Sequence, residues 1–124
     1  MDVGQSTANA LYQQAEAGTF RMEADAARRC AEVYTRFIDT TLEPQIRMSR
    51  GLHRHEGFGG FDSAQQLQSG FSSKAVQTTE ALNGIKEAAL KMAAAYLRAG
   101  QLVEEADTMF ARSINTATSE VPQT

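Results

Sequence analysis

From Phe71 onward, apolar or small residues recur at alternating steps of four and three: Phe71, Ala75, Thr78, Leu82, Ile85, Ala89, Met92, Tyr96, Ala99, Val103, Ala106, Phe110 and Ser113. Those steps return to one side of a 3.6-residue helix. The pattern therefore predicts one long amphipathic helix over residues 62–114, with a seam that needs a partner helix to bury it. No Pro interrupts this stretch. Straight, its ~50 residues would span about 75 Å. Asp62 and Gln65 open it as a capping box in which an acid replaces the usual Ser or Thr. Gly70, Gly84 and Gly100 are either soft points or places where another backbone comes close.

The first half of the chain carries a second stripe of the same period: Phe20, Ala24, Ala27, Ala31, Tyr34 and Ile38, widened by Val33, Phe37 and Leu42. This predicts a helix over residues 7–50, with Ser6 or Thr7 as its cap. Gly18 weakens its start by about 1 kcal/mol relative to Ala, so the helix frays there or begins near Thr19. Pro44 lacks an amide donor and its ring crowds the preceding turn, which predicts a kink or an end near Leu42. Residues 1–6 and 115–124 are short, polar and expected to be disordered.

Between the stripes lies Gly51–Phe61, where Gly57, Gly59 and Gly60 cannot sustain a helix. Phe58 and Phe61 are unusual in a turn and are expected to fold back onto the helix ends. The expected fold is all-α: an antiparallel two-helix hairpin, with helix 7–50, turn 51–61 and helix 62–114. Leu102, Met109 and Ile114 widen the second stripe beyond what one partner helix covers. The surplus predicts pairing of two hairpins into a four-helix bundle. The expected partner interface is Phe71, Leu82, Ile85, Met92, Tyr96, Val103 and Phe110.

Composition narrows the function classes. The 124 residues suffice for one domain. A formal net charge of -3 argues against nucleic-acid binding, which needs a basic face. Cys30 is the single cysteine, so the fold does not depend on an internal disulfide. No basic segment followed by an apolar run opens the chain, and no apolar run reaches the roughly 18 to 20 residues of a membrane span. Synthesis in the cytoplasm is expected, with any export using a route that reads no cleaved signal. A membrane-surface helix is not expected either, because such helices concentrate Lys and Arg on the polar face.

The candidate chemical groups are sparse. His53, Arg54, His55 and Glu56 supply too few ligands for a tetrahedral metal site. Cys30 has no histidine near it in sequence to act as a base, and reads as a small packed hydrophobe. Glu104, Glu105 and Asp107 read as a solvated outer face rather than an acid–base pair. The expectation is a non-enzyme with no catalytic, cofactor or metal site.

The turn sequence Phe58-Gly59-Gly60 has an aromatic, any residue, then glycine, and Gly57 to Ala64 leads into a long Ala-rich helix. With the two stripes, this arrangement resembles the W-x-G family of type VII (ESX) secretion substrates, and within it a divergent actinobacterial member. The resemblance covers about Thr7 to Asn115. Members are small, acidic, signal-less helical hairpins that dimerise into four-helix bundles. The resemblance implies a secretion-associated protein acting as a homodimer or heterodimer with another small hairpin, with the type VII machinery as a further partner. The turn motif would be Phe58, Gly59, Gly60 and Phe61, with Phe58 in the place of Trp. The family's export signal, Tyr then three residues then Asp or Glu, is not found: Tyr96 is followed four positions later by Gly100. A passenger partner, exported on another chain's signal, is one implication. A cytoplasmic adaptor or chaperone for the helical leader of a secreted toxin is the alternative.

Overall fold

The computed structural model describes residues 2–53 and 62–119, and its regular structure is entirely helical. Helix α1 spans Gln5–Ala17, α2 Ala24–Phe37, α3 Glu43–His53, α4 Asp62–Ala99 and α5 Val103–Ser119; a π-helical turn, Ile38–Leu42, joins α2 to α3. Helix α4 is the hub. The other four helices all pack on it, and α1, α2 and α5 make no close backbone approach to one another.

The sequence explains why α4 takes this place. Over Ala88–Gly100 it carries Ala88, Ala89, Leu90, Ala93, Ala94, Ala95, Leu97 and Ala99, all buried. A helix that is small and apolar around its whole circumference must be covered from several sides. Alanine also lets the covering helices approach closely. Contacts fix the directions. Gln5 Nε2 donates to the Gly84 carbonyl at 3.2 Å, and Met22 N–H to the Ala99 carbonyl at 3.0 Å, so α1 runs along α4 in the same sense. Glu43 meets Lys86, the Ser49 and Thr79 hydroxyls lie 2.6 Å apart, and Tyr34 stacks on Tyr96, so α2–α3 runs against α4. Helix α5 also turns back: Ala106 clusters with Ala93 and Leu97, and Met109 packs against the cluster that holds Leu90.

Two expected boundaries are corrected. The helix expected over 7–50 is interrupted at residues 18–23. Gly18 takes the left-handed conformation, φ 81°, and ends α1 in a Schellman motif: its N–H reaches the Ala15 carbonyl and that of Thr19 the Gln14 carbonyl. The helix expected over 62–114 ends at Ala99. Gln101 N–H donates to Arg98, Leu102 N–H to Leu97, and Gln101 itself is left-handed at φ 61°. The corner has the same Schellman pattern, with a non-glycine at the left-handed position. Gly100 is reserved for another purpose. A β-carbon there would stand 2.5 Å from Cβ of Ala27, so α2 crosses α4 against a bare backbone. Gly84 is likewise a close approach, under Val3 and Gln5, whereas Gly70 faces open space.

Pro44 acts where expected but without ending the helix. Pro44 cannot donate to the Thr40 carbonyl. The turn before it widens, with Glu43 N–H bonding the Ile38 carbonyl five residues back. Helix α1 starts two residues ahead of expectation, with Gly4 at its N-cap position and Asp2, two residues before it, bonding the first turn. The Asp2 carboxylate accepts from the amides of Gly4 and Ser6 and from the Ser6 hydroxyl, which holds its pKa at about 2. At the other end α5 continues past the expected residue 114 to Ser119.

Candidate functional site

The inner face of α2–α3 is built by the stripe read from the sequence. Ala27, Ala31, Ile38 and Leu42 are buried, joined by Ile46, which falls one turn further on. Ile38, Leu42 and Ile46 pack with Ala89 and Leu90 of α4; Tyr34, Leu82, Ile85 and Met109 close the edges of that cluster. Burying side chains of this size contributes roughly 1.5–3 kcal/mol each, so this contact is the main tie between α2–α3 and α4.

The seven residues expected at a partner interface divide. Leu82 and Ile85 are half-buried against Ile38, Leu42 and Ile46. Tyr96 lies between two rings, stacked on Tyr34 and edge-on to Phe20, with centroids 5.8 Å away in both pairs. Burial beside Tyr96 raises the Tyr34 pKa above its ordinary value of 10.0. Phe110 faces Tyr12 at 4.8 Å, tying α5 to α1, and Met92 is half-buried. Phe71 and Val103 are each 42% exposed. Phe58, Gly59, Gly60 and Phe61, the expected turn motif, lie outside the described residues, as do Arg54, His55 and Glu56.

Sequence reasoning merged two faces of α2–α3 into one stripe. Val33 is 65% exposed, Phe37 39% and Met48 63%. A step of four puts Val33 and Phe37 on one flank, about a quarter turn or more from the buried positions of α2; Met48 is exposed on α3 beyond the π-helical turn, which rotates it away from strict register with Phe37. The signal was present, since Val33 and Phe37 fall one position before Tyr34 and Ile38 of the inner set. Cys30, partly buried, lies beside the same flank.

The other flank of α2 borders an open groove. Arg28, Ala31, Glu32 and Thr35 of α2 face Glu105, Thr108 and Met109 of α5 across a floor that includes Leu97, and enclose about 290 Å³. Arg28 spans it to Glu105 at 3.2 Å, and this contact holds the guanidinium above its ordinary pKa. The pair is half-exposed, so it orients the helices more than it stabilises them. Two closer ion pairs involve α4: Lys86 with Glu43 of α3 at 2.5 Å, and Lys91 with Glu87 within α4 at 3.1 Å. The hydrogen bond from Lys86 lowers the Glu43 pKa.

Glu104, Glu105 and Asp107 are exposed on α5. Among the described residues no cluster of three or more His, Cys, Asp or Glu is placed to hold a metal ion, and no helix is long and apolar enough to cross a membrane. What the arrangement offers is surface: an apolar flank on α2–α3 and a groove between α2 and α5. No family model, curated protein or solved structure matches this chain.

Proposed function

We propose that this protein is a non-catalytic helical interaction protein, associated with type VII (ESX) secretion and acting as a homodimer or as a heterodimer with another small helical hairpin. The observation that carries the reading is the two-faced character of α2–α3. Its inner face is already covered by α4, while Val33 and Phe37, with Met48 further along, present a second apolar surface to solvent. Exposed apolar side chains aligned along one helix flank mark a surface for another protein. In this reading α2–α3 and α4 form the antiparallel hairpin, and the partner lies on the outer flank to complete a bundle. The secretion assignment rests on the Phe58-Gly59-Gly60 turn and the hairpin sequence pattern.

Secretion of the tagged protein by a host with an intact type VII system, and its loss when the export ATPase is deleted, tests that assignment. Strict retention in the cytoplasm in both hosts contradicts it. Retention together with binding of a toxin leader helix is the outcome of the alternative reading, in which the chain is a cytoplasmic adaptor. The groove between α2 and α5, with its floor of Ala31, Leu97 and Met109, favours that alternative as a seat for an amphipathic helix.

A further inference from the structure

Three observations converge on the corner between α4 and α5. First, the apolar seam does not register the corner. Tyr96, Ala99, Val103, Ala106 and Phe110 keep the steps of three and four across Gly100–Leu102, as though one helix were intended. Second, the corner depends on a left-handed residue that is not glycine, Gln101 at φ 61°. Straightening the corner releases that conformation. Third, the backbone of α5 approaches α4 alone among the described helices; α1 and α2 meet it through side chains, in the Tyr12–Phe110 ring contact, the Arg28–Glu105 pair and the cluster of Ala31 and Tyr34 with Ala106 and Met109. The α4 of a second copy offers the identical surface.

We infer that Gly100–Leu102 is a hinge through which α5 leaves its own α4 and docks on the α4 of a second copy, giving a reciprocally exchanged dimer. In the exchanged form α4 and α5 are one continuous helix over residues 62–119. The backbone exchange is balanced at Ala99: its carbonyl, which now accepts from Met22 N–H, accepts from Val103 N–H instead. The Met22 amide then turns to solvent, so the 18–23 crossing loosens as the hinge opens. Every α4–α5 contact is remade between chains, which makes exchange a low-cost route to association. This goes beyond the proposed function, since it concerns a second copy reached through α5 and not a partner on the α2–α3 flank.

The test uses the full chain with Cys30→Ser and spin labels at Ser73→Cys and Thr118→Cys, two exposed positions. It is refolded from denaturant at micromolar and at millimolar concentration, and the dimer is isolated. Labelled chains diluted with unlabelled ones before refolding report the distance within a chain. Folded back, the labels lie within roughly 25 Å, since α5 returns along α4. In a continuous helix they stand about 65 Å apart. Exchange predicts a dimer with the long distance, formed about fourfold more readily by Gln101→Ala, through helix propensity alone, and on the order of tenfold less readily by Gln101→Gly. It also predicts that Val33→Ser/Phe37→Ser/Met48→Ser leaves this dimer intact. A dimer with only the short distance overturns exchange while leaving association through the α2–α3 flank standing. Monomer at every concentration for all three residues at position 101 also overturns it.

Discussion

Gly100 and Ala27 meet so closely that a β-carbon on the glycine would stand 2.5 Å from that of Ala27. Contacts of that length do not occur between real methyl groups, so the crossing of α2 over the end of α4 is set by these two positions. Gly100→Ala is expected to lower unfolding stability by about 2 kcal/mol through overpacking. Ala27→Gly in the same chain should recover part of that loss by removing the other methyl, less its own helix cost of about 1 kcal/mol. Urea denaturation of the two single variants and the double variant measures the coupling. Additive losses would show that the two positions do not touch.

Gln101 carries the left-handed turn that glycine supplies at Gly18. A left-handed L-residue costs roughly 1–2 kcal/mol, partly offset by the greater chain freedom of glycine when unfolded. Gln101→Gly should therefore raise monomer stability by about 0.5–1 kcal/mol. The corresponding change at Gly18, Gly18→Ala, should lower it by a similar amount. Thermal unfolding at a fixed, low protein concentration checks both signs together.

The two apolar faces of α2–α3 should respond oppositely to truncation. Leu90 of α4 is fully buried against the inner face, and Leu90→Ala should cost about 2–5 kcal/mol. Val33→Ser changes an exposed side chain and should move monomer stability by no more than about 0.5 kcal/mol. Denaturant midpoints for the two variants, compared with far-ultraviolet circular dichroism, separate loss of fold from loss of surface.

Glu43 gives the fold a pH dependence. Its pKa is lowered by the hydrogen bond from Lys86. A carboxyl with a lowered folded-state pKa adds stability that is complete above its ordinary value of 4.5 and is lost as pH falls from there through the folded value. Glu43→Gln should reduce stability at pH 7 by about 1 kcal/mol or less and flatten the acid limb of the melting temperature against pH. An unchanged acid limb would place the acid sensitivity in other carboxylates.

The periodic stripe made the inner face of α2 legible in advance: Ala27, Ala31, Tyr34, Ile38 and Leu42 all face α4, as a period of 3.6 requires. The place of the Pro44 irregularity near Leu42 was readable, because a missing amide acts locally, but its form was not: a π-helical turn stands where a kink or an end was expected. The corner at Gly100–Leu102 was not. A heptad seam says which residues share a face but not whether the helix continues, and here the seam runs on through a reversal. What decides the break is tertiary: the methyl of Ala27 against Gly100, and an alanine-rich α4 that α1 and α5 can both approach. The same ambiguity hid the outward flank. Val33 and Phe37 sit one residue from inner positions, and only the direction of α4 shows that they point elsewhere.

The account turns on whether the outer flank of α2–α3 receives a partner. The direct measurement is molecular mass by sedimentation at tens of micromolar, for the protein alone and co-expressed with any small helical hairpin encoded beside it. The account predicts a dimer in at least one of the two preparations, reduced to a folded monomer by Val33→Ser/Phe37→Ser/Met48→Ser when the hinge is held closed with Gln101→Gly. A wild-type protein that sediments as a monomer in both would contradict it.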